Sequence, residues 1–435
     1  MFEVSYTRTK NSPVSSGLKK SEAIENPWLV RILGGILAAG MVCAVYGAVK
    51  RVYADHLARA DSAETVRAAL EIAPDNAAYW LHWADIAESN GRSGRSGVEH
   101  AVQLDPYNSA VWIRAGLTAE INGDDAGAER DLLRAAQLSR QYEPRWALAN
   151  YYFRQGDAAH FWPWAKSALE WAYRDRKLLF DLCWRMQPDP RVILDRGIPD
   201  NPKVLRDYLE FLLDTNRPQA AQAVAERMQA RASNEDRDLL LAYVNRMLEA
   251  HDWRDALSMW NALCLRKLVP HQPLDPEHRQ GLTNGSFSIK PLDTGYDWRL
   301  PQASGISTAY SDSTSGMRFD FDGQQPEYSW LLYQVVPLEP RRRYDLRFGY
   351  RTDGIPAAAG LRWQIFDGGS EAEIPLEQDS PPSFSSADWT KSAVTFTVPP
   401  QVQTAKVVLV YKRQPGTVRI EGTLWLRNVE LESHP

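Results

Sequence analysis

The residues best suited to chemistry are aromatic rings set beside polar groups in the C-terminal third of the chain. Trp298, Trp330 and Tyr333 offer ring faces, and Arg347, Arg351, Gln364 and Asp367 offer donors and acceptors. A sugar packs its C–H face on a ring while its hydroxyls find polar partners, and that mixture is the usual make-up of a small-ligand site. The chain holds 16 Trp and 18 Tyr, an excess that serves sugar stacking, repeat packing or both. Each residue of the set also has a plainer use. Trp298, in Tyr296–Leu300, could equally close the edge of a sheet; Arg347 and Arg351 suit solvated strand positions; Trp363 and Trp389 read as core.

No comparable set exists for catalysis. The eight His are scattered, with no HExxH or HxH spacing to place two on one face. There is no GxSxG elbow, no Walker loop and no GxGxxG fingerprint. The acidic pairs Asp124-Asp125 and Glu235-Asp236 fall at expected helix starts, where acids favour the positive end of the helix dipole. Cys183 and Cys264 stand alone in helical patterns and Cys43 lies in an apolar run, so no CxxC pair suggests zinc or redox work. Net charge is −5 with both signs mixed, against the concentrated basic surface a nucleic-acid protein needs. The reading is a binding protein, not an enzyme, with no cofactor, no metal and no nucleic acid.

A chain of 435 residues is too long for one compact domain. Residues 1–27 are polar, rich in Ser and Lys, and read as a disordered cytoplasmic tail. From Ile32 to Val49 no charge occurs, close to the ~20 apolar residues a bilayer-crossing helix requires. Trp28 and Tyr46 suit the membrane interface and Lys50-Arg51 close the far end, so residues 28–51 read as a transmembrane helix. A cleaved signal is the competing reading, but the apolar run exceeds the usual ~7–15 residues and its leader is long. Arg8, Lys10, Lys19, Lys20 and Arg31 on the N-terminal side tip the balance slightly toward a cytoplasmic N-terminus.

Residues 52–270 carry helical periodicity and almost no strand signal. Units align on the Gly that ends each first helix: Trp80, Trp83, Ala84 and Gly91; then Trp112, Gly116, Gly123, Ala128, Leu132 and Ala135; then Leu148, Ala149, Tyr152 and Gly156. Large residues alternate with Gly or Ala where helices cross, so axes approach closely and big side chains fill the space beside them. Trp80, Trp83, Ala84, Trp112, Gly116, Ala128, Ala135, Leu148 and Tyr152 are therefore the expected packing set. The pattern resembles the tetratricopeptide repeat, a helix–turn–helix unit of about 34 residues, over about residues 75–172, with a half-match near 239–266. That resemblance implies an α-solenoid whose concave face takes peptide segments of partner proteins.

Composition shifts after Pro270. Residues 271–283 read as a linker, and 284–433 as short strands with turn signals between them. In RYDLRFGYR, Tyr344, Leu346, Phe348 and Tyr350 share one face while Asp345, Arg347 and Arg351 share the other. This spacing argues for an antiparallel β-sandwich of jelly-roll type. NGSF (Asn284–Phe287), Gln334, YDLRFGYR (Tyr344–Arg351), Asp388–Pro400 and LRNVEL (Leu426–Leu431) together resemble the carbohydrate-binding jelly-roll modules attached to bacterial cellulases and xylanases. Such modules often hold a structural calcium, but here Ser288 and Asn428 stand where acids are expected, which implies weak calcium binding or none.

The fold class is thus multidomain, α then β: one N-terminal transmembrane helix, an α-solenoid of tetratricopeptide-like hairpins, and a C-terminal jelly roll. That order, with YDWRL (Tyr296–Leu300) following NGSF, resembles accessory membrane proteins of bacterial exopolysaccharide or O-antigen assembly. The resemblance implies a protein partner such as a membrane polysaccharide polymerase, ligase or secretion component, a polysaccharide ligand, and a single-pass place in the bacterial inner membrane with the bulk of the chain outside the cytoplasm. A pure protein scaffold and a glycan-modifying enzyme are the rival readings.

Overall fold

A computed structural model describes residues 27–60, 62–173, 175–276, 281–311, 316–377 and 384–434. Of the tail expected over residues 1–27, Pro27 opens the first helix, and residues 1–26 and the middle of the expected linker, 277–280, lie outside the described residues. The chain divides into two compact units, Met1–Leu148 and Ala149–Pro435.

The first unit is helical. It comprises α1 (Pro27–Ala58), α2 (Ala63–Ile72), α3 (Ala77–Ser89), α4 (Arg95–Leu104), α5 (Ser109–Ile121), α6 (Asp125–Leu138) and the start of α7 (Tyr142–Gln155). Helix α1 does not stop at Lys50-Arg51. It continues to Ala58, and its last turns bury Ala54 and Ala58 against Val66, Ala69, Leu70 and Tyr79. Its apolar stretch is long enough to cross a membrane and its side chains there are exposed.

The repeat is visible atom by atom. Asn76 and Asn108 cap α3 and α5 by accepting from the N–H groups of Ala78 and Ala110, both at 3.0 Å. The indole N–H of Trp80 donates to the Pro74 carbonyl at 2.9 Å, and that of Trp112 to the Pro106 carbonyl at 2.8 Å. Trp80, Trp83 and Trp112 are half-buried, whereas Ala84, Gly116, Ala128, Ala135, Leu148 and Tyr152 are buried. A Cβ at Gly116 would lie 2.6 Å from Leu132, so only glycine lets α5 and α6 approach as they do.

The second unit continues the hairpins with α8 (Ala158–Trp171), α9 (Lys177–Met186), the short α10 (Pro190–Val192) and a π-helical turn (Ile193–Gly197). Then come α11 (Pro202–Asp214), α12 (Pro218–Gln229), α13 (Arg237–Glu249) and α14 (Trp253–Leu265). Asn216 and His251 occupy the turns of the α11/α12 and α13/α14 hairpins with φ of 53° and 59°, the left-handed conformation that Gly91 and Gly123 adopt in the first unit. The helical repeats therefore run further than a search for Gly finds them.

The strands are β1 (Ile306–Ser311), β2 (Gly316–Asp322), β3 (Tyr328–Pro337), β4 (Arg343–Asp353), β5 (Leu361–Asp367), β6 (Glu373–Ile374), β7 (Thr390–Thr397), β8 (Thr404–Lys412) and β9 (Glu421–His434). They pair antiparallel in two sheets, β1-β2-β9-β4-β7 and β3-β8-β5-β6. With β1 set aside, the strand orders β2-β9-β4-β7 and β3-β8-β5-β6 are those of a jelly roll. Leu346, Phe348, Leu424 and Leu426 of one sheet meet Trp363, Ile365, Val407 and Leu409 of the other in the core. On β9 two residues, Asn428 and Val429, oppose Phe348 alone: Arg347 pairs with Glu430 and Gly349 with Arg427. This is a β-bulge, and Asn428 takes the left-handed φ of 49° that it requires.

NGSF and YDWRL plug this sandwich and clasp it to the last hairpin. A Cβ at Gly285 would lie 1.9 Å from the Val429 carbonyl oxygen, and the Val429 N–H freed by the bulge donates to the Gly285 carbonyl at 2.7 Å. Asn245 of α13 donates to the Thr294 hydroxyl at 2.7 Å and accepts from the Gly295 N–H and the Arg299 guanidinium at 2.8 and 2.7 Å. Tyr296 packs on Trp260 of α14, and buried Asp297 pairs with buried His271 at 3.1 Å. The stretch read as a linker is tied down where it is described. Leu274 exchanges two hydrogen bonds with Asn261, and Thr283 exchanges two with the side chain of buried Gln334.

Candidate ligand groove on the sandwich

The seven residues picked from the sequence do not converge. Trp298 is 0% exposed. It packs between Phe287 and Trp363, and its indole N–H donates to the Asn284 carbonyl. Its ring closes the core, which removes it from any surface. Of the other six, Arg347 and Arg351 lie on one outer face of the sandwich and Trp330, Tyr333 and Gln364 on the opposite one, while Asp367 ends β5 at the turn into β6.

On the four-stranded face the polar groups satisfy one another. Gln364 is only 4% exposed; its amide donates to Glu373 at 2.8 Å and accepts from the Tyr328 hydroxyl at 3.1 Å. That hydroxyl accepts from the Trp330 indole at 2.9 Å, and Trp330 stacks on Phe366 with Tyr333 against its edge. Asp367 caps the β5–β6 turn by accepting from Gly369 and Ser370. Partial burial works to raise its carboxyl, but the Ser370 and Gly369 hydrogen bonds outweigh this and hold it below the ordinary range. Asp367 is thus a turn former rather than a free acceptor.

The five-stranded face is different. One row across β2, β9, β4 and the entry to β7 reads Arg318, Trp425, Arg351, Trp389. The guanidinium carbons of Arg318 and Arg351 lie 5.7 and 4.2 Å from the Trp425 ring centre, and that of Arg351 lies 5.8 Å from Trp389. Arg427, in the next row, reaches over Gly349 to sit 3.8 Å from the centre of Trp389. Gly349 has no side chain to block that reach; a Cβ there would come within 3.3 Å of both the Arg427 side chain and its carbonyl oxygen. Contacts of this kind are worth roughly 0.5–2 kcal/mol each.

Trp389 is half-buried at the surface, not core. Its loop is pinned to β4 by three hydrogen bonds between Ser386 and Thr352: the Ser386 carbonyl accepts from the Thr352 N–H at 2.7 Å and from its hydroxyl at 3.2 Å, and the Ser386 N–H donates to that hydroxyl at 2.8 Å; Phe384 stacks on Phe348 beside them. Beside it lies a groove of about 520 Å³, lined by Arg347, Gly349, Trp389, Lys391, Arg427 and Glu430 among others, within the ~300–1,000 Å³ of small-molecule sites. The bulge shapes it. In a regular strand Arg427 and Glu430 would point to opposite faces; the extra residue turns both outward while Val429 stays in the core.

No protein-family model matches the chain, and no curated protein does. Among solved structures, a CBM4 domain shares 14% identity, with 35% of this chain covering 99% of that one at a TM-score of 0.26. The tetratricopeptide protein YrrB, described as having an unusual peptide-binding site, shares 12% identity over 48% of this chain and 94% of that one, with a TM-score of 0.24. PilF of Pseudomonas aeruginosa shares 17% identity over 52% and 91%, with a TM-score of 0.24. At these identities the likeness is one of chain path alone.

Of the sequence-picked residues, Arg347 and Arg351 lie on this face. The sequence reading missed Trp425, Arg427, Arg318 and Lys391. For the β9 pair the signal was present: in TLWLRN the leucines point inward, so Trp425 and Arg427 must point outward. Among the described residues no group of three His, Cys, Asp or Glu side chains is placed to hold a metal ion.

Proposed function

We propose that this chain is a membrane-anchored, non-catalytic accessory protein of cell-envelope or exopolysaccharide assembly. Helix α1 anchors it, its helical repeats take a protein partner, and its sandwich takes a glycan on the five-stranded face. The observation that carries the glycan reading is the groove lined by the indole of Trp389 among polar side chains, with a second half-buried indole, Trp425, in the same row of the sheet face. A sugar would lay its C–H face on a ring and direct its hydroxyls to Arg347, Arg351 and Lys391. In the first unit, a second hollow of about 350 Å³ lined by Val98, Trp112, Thr118, Asn122 and Arg130 among others supports the partner reading, because it offers apolar contact and side-chain amides to an extended peptide.

The test is a glycan array probed with the full chain in detergent, alongside W389A and W425A. Binding that disappears in both variants supports the proposal. A full array without a hit, together with crosslinks that capture only proteins, leaves the pure scaffold reading in its place.

A further inference from the structure

We infer that the groove is built for an acidic polysaccharide, one whose sugar units carry carboxylates. The inference rests on the glycan reading of the same groove and names its ligand class. It follows from where the charges on this face find partners. Arg318 is held by Asp320 through two nitrogens at 2.9 and 2.8 Å. Arg347 is held by Glu432 at 2.7 Å, with Asp345 at 3.8 Å. Arg351 and Arg427 lie instead over indole rings, and among the described residues neither has a carboxylate within ion-pair distance or a protein hydrogen-bond acceptor. Lys391, exposed on the neighbouring strand, is likewise without one.

Of these three cations, Arg427 and Lys391 line the groove and Arg351 lies beside it against Trp389, while the lining holds one carboxylate, Glu430. Lying over the rings places the two guanidinium groups while none of their N–H donors is used by the protein among the described residues. A guanidinium edge matches a carboxylate in a paired, charge-assisted geometry. A neutral sugar would use the rings and leave three positive charges uncompensated, whereas a carboxylate-bearing one uses both features. The chain's net charge of −5 gives no long-range pull on nucleic acid, so the positive character is local to this groove.

Titration calorimetry of the full chain in detergent tests this, with oligogalacturonate as probe and a neutral cello-oligosaccharide of equal length beside it. Oligogalacturonate is expected to bind more tightly, with affinity falling as salt rises. R351Q and R427Q are each expected to weaken it by at least about tenfold, the loss of one charge-assisted contact. K412Q, on the opposite sheet, serves as the unaffected control. If the arginine variants melt early, K391Q reports instead, since its exposed side chain carries no fold contact, and a several-fold loss is expected. Equal binding of the neutral oligomer, indifferent to these variants, overturns the acidic ligand and leaves the glycan reading standing. Equal binding of a sulfated oligosaccharide overturns the carboxylate in favour of any anion. Tighter binding of a single-stranded homopolynucleotide, or no binding of either sugar, overturns both.

Discussion

Gly349 shows how much one side chain decides in this molecule. Because the position is bare, Arg427 can cross it to reach Trp389. Gly349→Val is expected to push Arg427 off the ring and abolish glycan binding in the array assay, with only a modest fall in melting temperature. Asp345, on the same face, gives a pH test. Partial burial works to raise its carboxyl, but the hydrogen bond from the Thr395 hydroxyl and the nearness of His434 and Arg347 prevail, and it is held below its ordinary value of 3.8. Its folded pKa lies below its unfolded one, so its stabilisation is full above the unfolded value and is lost as pH falls through the folded one. Melting temperatures measured from about pH 6 to pH 3 should fall for the native chain and fall less for D345N. The cysteines give a third test. All three are free, Cys183 and Cys264 are buried, and burial pushes both thiols up to about 12. In a C43S background neither should react with a thiol reagent at neutral pH until the chain is unfolded.

At the scale of elements, the clasp of Thr294–Leu300 on α13 and α14 sets where the sandwich sits on the last hairpin of its own unit. Every polar atom of the Asn245 amide is used there. Asn245→Ala leaves the buried groups around Gly295 and Arg299 short of partners, at a cost of about 1–3 kcal/mol. The expected readout is a lower melting temperature and new protease cleavage between α14 and β1. The YDWRL motif stood out in the sequence as a possible sugar-stacking segment; in the fold its Tyr, Asp and Trp are all buried, and its work is to join. The helical hairpins were legible where Gly marked the turn. At Asn216 no repeat was legible and at His251 only the half-match near 239–266, because a left-handed turn constrains φ rather than residue identity, and Asn and His also reach it. Strand β6 is two residues long and offers no alternation to read.

At the scale of the whole molecule, α1 and the helices that follow it are continuous at their junction, since the last turns of α1 are part of the first hairpin's core. Replacing residues 1–51 by a cleavable secretion signal should move the protein from the membrane fraction to the soluble one. It should also leave the packing of Ala54 and Ala58 intact, with the helical signal in circular dichroism otherwise unchanged. A truncation that also removes 52–60 should destabilise α2 and α3.

What the sequence determined by itself was the order of elements and their class. An uncharged apolar run, a helical period with small residues at crossings, and a two-residue period with turn signals are local patterns, and each is set by which side chains must leave water. It also determined which side of β4 carries its arginines, because alternation along one strand is local too. Only the tertiary structure decided which residues share a surface. Trp298 and Arg351 read alike as ligand groups, but one closes the core and the other faces solvent, and that difference depends on the sandwich that the segment of Trp298, outside every named strand, is folded into. The groove itself needs the bulge at Asn428, the bare Gly349 and a loop pinned by Ser386 and Phe384. These come from three distant parts of the chain, and no pattern within any one of them states that they meet.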